Sequence, residues 1–193
     1  MKLKPVLAGA FAGLMLASSG AFAQQAQQAQ DGAPGRPETK TVGDWTVRCF
    51  PVTSPNPCDM FQELVDQNSH QRILSLSIAY APSADRNLLI VTVPLDIAIQ
   101  KGVTIQTDSY KSPILKYRMC TRDGCFVQMI ADTAMIEALG KSGPEAKVNI
   151  VADGGKNYGL RFFLKGFAAA HDDMVAQARA KAKSPKPEEP AKP

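Results

Sequence analysis

The chain has 193 residues, 45% of them hydrophobic and 21% charged, with a formal net charge of +4. That length holds one domain or two small ones, and the composition excludes collagen-like, wholly disordered and multi-span membrane proteins. Four cysteines are too few for a disulfide-dense miniprotein, and two histidines leave little material for a His-rich metal site or a catalytic dyad.

Met1 to Ala23 has a positive start at Lys2 and Lys4, then an apolar run from Val6 to Ala17, then Ser18-Ser19-Gly20-Ala21-Phe22-Ala23. This is the layout of a secretory signal peptide cut after the A-x-A ending at Ala23. The apolar run has 12 residues, short of the ~20 that a spanning helix needs. No cysteine lies beside the cleavage site to carry a lipid anchor, and no later apolar run is long enough to span a bilayer. Cleavage lowers the net charge to +2. The stretch from Ala176 onward carries +3 of it, so the body from Gln24 to Val175 is near −1. The basic character lies at the two ends, and the body lacks the clustered cations of a nucleic-acid groove.

Gln24 to Thr41 begins with Gln24-Gln-Ala-Gln-Gln-Ala-Gln30 and continues through Gly32, Pro34, Gly35 and Pro37. It reads as a flexible linker, residues 24–41. Residues 181–193 hold four prolines in the last nine positions and read as a disordered Lys/Pro tail. A solvated end is the plain interpretation of that tail, and a cationic tether to an anionic envelope surface is the other. The ordered domain is then 42–180, enough for one core.

Period-2 alternation dominates that domain. Trp45, Val47 and Cys49 alternate with Thr46 and Arg48; Leu74, Leu76, Ile78 and Tyr80 alternate with small residues. Val103 to Gln106, Leu115 to Met119 and Leu160 to Leu164 follow the same rule. Leu88-Leu89-Ile90-Val91 is a continuous apolar run and predicts a strand covered on both faces. Cys58 to Val65, Cys125 to Ala131 and Lys147 to Val151 complete about nine short strands, with turn residues between them. That spacing predicts an all-β sandwich or barrel. Two segments are helical instead. Asp132 caps a short helix near 132–139, with Met135, Ile136 and Leu139 on one face, and an alanine-rich helix spans 166–180.

Exported chains meet oxidising conditions, so the even cysteine count favours disulfides. Four cysteines allow three connectivities. Cys49–Cys58 with Cys120–Cys125 is the simplest, each stapling one strand-to-strand connection. Structural zinc usually wants two C-x2–4-C pairs, and here only the second pair comes close; a thiol oxidoreductase needs C-x-x-C, which is absent.

The sequence assigns no catalytic residue, cofactor or metal. Gly140-Lys141-Ser142 matches the end of a phosphate-binding loop, but Met135 stands where that motif needs its first glycine. His70 sits in a polar turn. His171 precedes Asp172 and Asp173 on a helix, where adjacent side chains diverge. Glu63 and Asp66, like Asp172 and Asp173, read as surface charges. Lys111, Lys116, Arg118 and Arg122, with Tyr110 and Tyr117 nearby, cluster around the strand entering Cys120. They form a candidate binding patch for an anionic partner, Lys116 and Arg118 sharing one strand face. A solvated sheet face is the competing interpretation.

The order of these features resembles the invasion-associated locus B family of exported bacterial proteins. The matching pieces are Gly43-Asp44-Trp45-Thr46-Val47-Arg48-Cys49 followed by Cys58, then Val93-Pro94-Leu95-Asp96-Ile97 leading to Lys101-Gly102-Val103. Tyr117-Arg118-Met119-Cys120 with Gly124-Cys125 comes next, then the short helix, and Lys165-Gly166-Phe167 at the end. The resemblance runs from Val42 to Val175. It implies an immunoglobulin-like β-sandwich without the distant inter-sheet cysteine pair of antibody domains. The family takes its name from host-cell invasion, and many similar proteins look like general envelope proteins. It offers four cysteines, mapping to Cys49, Cys58, Cys120 and Cys125, and no catalytic set. The expectation is a periplasmic protein, with outer-membrane association or secretion as further locations. It binds an unknown protein or envelope macromolecule and no nucleic acid. The alternative is a periplasmic hydrolase built on carboxylates paired in space.

Overall fold

The computed structural model describes residues 36–51 and 53–183. The expected signal peptide, most of the linker and the tail beyond Lys183 lie outside the described residues. Ten strands are described: β1 (Glu38–Val42), β2 (Trp45–Cys49), β3 (Cys58–Val65), β4 (Arg72–Ala81), β5 (Arg86–Val93), β6 (Thr104–Gln106), β7 (Tyr117–Thr121), β8 (Gly124–Ala131), β9 (Glu145–Val151) and β10 (Asn157–Phe163). Two α-helices join them, α1 (Thr133–Lys141) and α2 (Phe167–Lys183). The strands form two antiparallel sheets, one ordered β1-β2-β3-β4-β5-β8-β7 and the other β10-β9-β6. This is the expected all-β sandwich, immunoglobulin-like in packing two antiparallel sheets on a shared core.

The alternation seen in the sequence becomes the two faces of the large sheet. Val47, Met60, Ile78 and Leu89 lie in cross-strand register and are at most 1% exposed. Trp45, Leu76 and Val91 form part of the next buried row. Trp45 meets Phe162 of β10 edge-on at 6.5 Å and Phe167 of α2 at 5.2 Å, and its indole donates to the Phe163 carbonyl at 3.1 Å. One residue therefore ties both sheets and the last helix together. The Gln62 side chain donates to the Asp44 carbonyl at 2.8 Å and accepts from the Phe163 backbone N–H, also at 2.8 Å, which joins β3 to β10. Helix α2 buries Phe167, Ala170, Met174 and Ala178 at helical spacing against β2, β3 and β4. Its alanines let the helix lie close to the sheet.

Several boundaries differ from the expectation. The linker was expected to run to Thr41, yet Glu38 to Val42 is the edge strand β1, paired with Cys49 to Trp45. Its polar residues gave no alternation because an edge strand exposed along most of its length has no buried face to pattern. The tail was expected from Lys181, yet α2 continues to Lys183, with Lys181 and Lys183 suiting the negative end of the helix. The strand expected from Leu115 begins at Tyr117. Leu115 instead exchanges backbone hydrogen bonds with Val103 at 2.8 and 2.9 Å, on the β6 side. Leu88 and Ile90 of β5 are only half-buried, so that strand is covered on one face and partly open on the other.

Candidate interaction surface

Strand β7 is the last strand of the large sheet, bonded to β8 on one side only. Arg118, Met119, Cys120 and Thr121 are all exposed, so the strand is open on both faces as well as at its edge. The ladder shifts register between Tyr117 and Met119, a bulge that turns the strand. Cys120 stands opposite Cys125 and is bonded to it, with the Cα atoms 4.0 Å apart. Cys49 and Cys58 make the second disulfide in the same way, opposite one another with Cα atoms 4.1 Å apart. Both bonds join neighbouring strands. Cys49 and Cys58 are fully buried beneath α2, whereas Cys120 is exposed.

The residues of the candidate patch do not stay together. Lys116, Arg118 and Arg122 are exposed on β7 and its flanks. None of the three makes an ion pair among the described residues. Lys116 precedes the strand and the bulge follows Tyr117, so Lys116 and Arg118 do not share a regular strand face. Tyr110 and Lys111 belong to the turn after β6, where Lys111 bridges Gln106 in the small sheet. Tyr110 is half-buried, and burial, with the nearby Asp132 charge, pushes its hydroxyl pKa up. Tyr117 turns inward. Burial pushes its hydroxyl pKa up to about 12, and the oxygen has no hydrogen-bond partner among the described residues.

Sequence reasoning missed the apolar part of this surface. Met119 is 54% exposed and Ile114, just before the strand, is 65% exposed. Met119 stands opposite half-buried Phe126 of β8, and Ile130 further along β8 is 49% exposed. Met119 was read as an inward member of an alternating strand; the bulge after Tyr117 turns it out, and Ile114 lies outside the run the alternation covered.

The titratable residues considered for catalysis fall into two groups, one on β3 and the turn after it and one on α2. His70 is exposed in its turn, and Asp66 there accepts from the Ser69 and Asn68 backbone N–H groups, which hold its carboxyl below the usual range. Glu63 lies 3.5 Å from Arg72, and Asp173 takes Lys40 of β1 at 2.9 Å. His171 of α2 is mostly buried, stacks on Phe167 and donates from Nε2 to Asn87 Oδ1 at 2.9 Å. Burial pushes its pKa down, and Asp172 pulls it partly back. It borders a cleft of about 210 Å³ between α1 and α2, where Glu137 and Asp172 place two carboxylates. That volume is below the ~300 Å³ at which ligand pockets begin. Glu137 is paired with Lys141 at 2.7 Å, which holds its carboxyl low, the opposite of what a general acid needs. Gly140-Lys141-Ser142 ends α1, with Ser142 Oγ donating to the Ala138 carbonyl at 2.6 Å. Among the described residues no group of three or more His, Cys, Asp and Glu is placed to hold a metal ion.

Two further polar clusters serve the fold. Arg48 donates two hydrogen bonds to Asp59, at 2.8 and 2.7 Å, and its guanidinium lies 4.0 Å over the Phe61 ring. Arg179 of α2 donates to the Tyr80 hydroxyl at 2.8 Å and to Asp85 at 3.1 Å, and Tyr80 itself donates to Asp85. This clips the last turns of α2 to the turn between β4 and β5.

Comparison with known proteins places this architecture. The family described as Invasion associated locus B (IalB) protein matches residues 45–175. The Invasion protein B homologs of Brucella abortus strain 2308 and of Brucella abortus biovar 1 strain 9-941 are each 31% identical over 147 residues. Each alignment covers 74% of this chain and 83% of the relative. Invasion associated protein B from Bartonella henselae, known from its crystal structure, shares the fold with a TM-score of 0.62 at 24% identity. That match covers 72% of this chain and 96% of the Bartonella chain. The matched region opens at Trp45 and closes on α2, the two elements that meet in the core, and the chain belongs to the invasion associated locus B family.

Proposed function

We propose that this is an exported envelope protein that acts by binding another macromolecule rather than by catalysis, and that it binds through the surface around β7. The observation that carries this reading is an exposed edge strand that carries Arg118 and is flanked by Lys116 and Arg122, none engaged in an ion pair among the described residues. Edge strands and end loops are common binding elements of sandwich domains. The two disulfides and the signal-like start of the chain support export to an oxidising compartment, the periplasm first. Among the described residues no helix is long and apolar enough to cross a membrane. The relatives are named for invasion; surface binding during invasion is one setting for this activity, and an accessory role inside the envelope is another.

A photo-reactive amino acid at Met119, compared with one at Thr39 on the opposite edge of the sheet, tests the reading in living cells. Covalent adducts are expected from Met119, absent from Thr39, and lost when Arg118→Glu and Arg122→Glu are added. Equal adducts from both edges, or none, overturn it. A membrane-impermeant amine label on intact cells then separates the two settings: labelling of this protein places it outside, and protection until the outer membrane is opened places it in the periplasm.

A further inference from the structure

We propose that the partner enters as an extended acidic segment of polypeptide, adding to the large sheet as an eighth strand beside β7. This rests on the reading that β7 is the binding surface and states what it binds.

Backbone geometry comes first. Opposed residues in an antiparallel pair alternate between hydrogen-bonded pairs, with Cα atoms about 5.5 Å apart, and non-hydrogen-bonded pairs at about 4.5 Å. Cys120 and Cys125 are 4.0 Å apart, so they form a non-hydrogen-bonded pair. The N–H and C=O of Cys120 therefore point away from β8, into the open edge. No backbone group of Tyr117 to Thr121 finds a partner outside the β7–β8 ladder among the described residues. An incoming strand would satisfy these groups directly. The disulfide also holds β7 in register on β8, so the edge is ordered before anything binds, which lowers the entropic cost of association.

Charge then selects the strand. Residues 116–123 hold Lys116, Arg118 and Arg122 against Asp123 alone. The body of the protein is near −1, so this local excess of positive charge is not the general character of the fold. The opposite edge, β1, carries Glu38 as well as Lys40, and Lys40 is already taken by Asp173. An acidic segment is matched at β7 and not at β1. Met119 supplies the third term. It extends the strip made with Phe126 on one face of the sheet, so every second side chain of the added strand lies beside apolar surface. The partner segment alternates acidic and apolar residues. Arginines and a bulge at an edge also serve to prevent pairing; if that were their only role, an acidic strand would gain nothing here.

The test uses the mature full-length chain and a short synthetic peptide of alternating Glu and Val. A Lys–Val peptide is one control. The acidic peptide N-methylated at two successive central residues, so that neither edge keeps its central N–H, is another. The acidic peptide is expected to bind at least about ten-fold tighter than either control, a free-energy difference of ~1.4 kcal/mol. Its binding should protect the Cys120 amide from hydrogen exchange, and the folded Arg118→Glu, Arg122→Glu variant should lose about ten-fold in affinity. Equal binding of the N-methylated peptide, or an unprotected Cys120 amide, overturns strand addition. So does binding to phosphatidylglycerol vesicles in place of the peptide, or a second copy of this chain in the Met119 adducts. If the peptide fails while Met119 adducts with another molecule persist, this inference falls and the binding-surface reading stands.

Discussion

Arg48 lies on the outer face of the large sheet, where Asp59 is 7% exposed and also accepts from Ser77 Oγ at 3.0 Å. Replacing Arg48 by Met keeps the contact with Phe61 but leaves a nearly buried carboxylate without its cation. The cost should be that of a charged hydrogen-bond pair, about 1.5–3 kcal/mol. Urea denaturation checks it, and Asp59→Asn in the same background should recover part of the loss. His171 gives a pH effect of definite sign. Its folded pKa lies below the ordinary 6.5 because burial against Phe167 disfavours the imidazolium. Asp172, exposed on the same helix, opposes this only in part. Glu137 and Lys141 of α1 share its cleft, and they pair with each other. The unfolded chain therefore binds the proton first. Stability is full above about pH 6.5 and falls as pH drops from there toward the lower folded value. Unfolding free energies measured at successive pH values should show this slope in the parent and lose it in His171→Gln. An unchanged slope in that variant would place its origin elsewhere.

At the scale of elements, the two disulfides are alike in topology and unlike in surroundings. Each bridges directly opposed residues of adjacent strands and closes a short loop, with sequence separations of 9 and 5. Chain entropy assigns either one about 2–3 kcal/mol. Cys120→Ser with Cys125→Ser should lose about 2 kcal/mol at unchanged m-value and stay folded. Cys49→Ser with Cys58→Ser should lose more, because it leaves two hydroxyls in a buried site beneath α2. Stepwise reduction followed by mass mapping should open Cys120–Cys125 first, since Cys120 is exposed. These elements were legible in the sequence to different degrees. Strands with one buried face, such as β2 and β4, announced themselves by alternation, and the Asp132 cap, whose side chain accepts from the Met135 N–H at 2.8 Å, marked the start of α1. Strand β1 was hidden because it is exposed nearly throughout. The alternation at Leu115 to Met119 was real in sequence but divided in space between the two sheets, because the chain leaves β6 at Leu115 before it joins β8.

Across the whole molecule, the turn before β2 meets the turn before α2. Gly43 has φ 62° and Gly166 has φ 82°, and the Asp44 backbone N–H donates to the Lys165 carbonyl at 2.9 Å. A Cβ on Gly43 would stand 2.2 Å from the Lys165 carbonyl oxygen, and one on Gly166 would stand 2.7 Å from that of Val42. Only glycine permits both the backbone conformation and the close approach. Either glycine replaced by Ala should cost more than the ~1–3 kcal/mol of a left-handed non-glycine residue, since backbone must also move. Loss of the cooperative thermal transition, or a sharp fall in its midpoint, is the expected readout; a shift within error would show that the contact is dispensable. Beside this meeting, Trp45 packs against Phe162 and Phe167 in the core.

The β-rich sandwich, most of its one-face-buried strands, the helix positions and the simplest cysteine pairing were readable from the residues alone, because burial on one face, capping and short spacing are local physics that leave a local pattern, while the tenth strand, β1, left none. The family was readable as well, from the order of short motifs. The contact between Gly43 and Gly166, the open edge at β7, the outward turn of Met119 and the separation of Lys111 from Arg118 were decided only by the tertiary structure. Each depends on which strands become neighbours across the sheets, and that is set by long-range pairing and by a bulge that no single stretch of sequence contains.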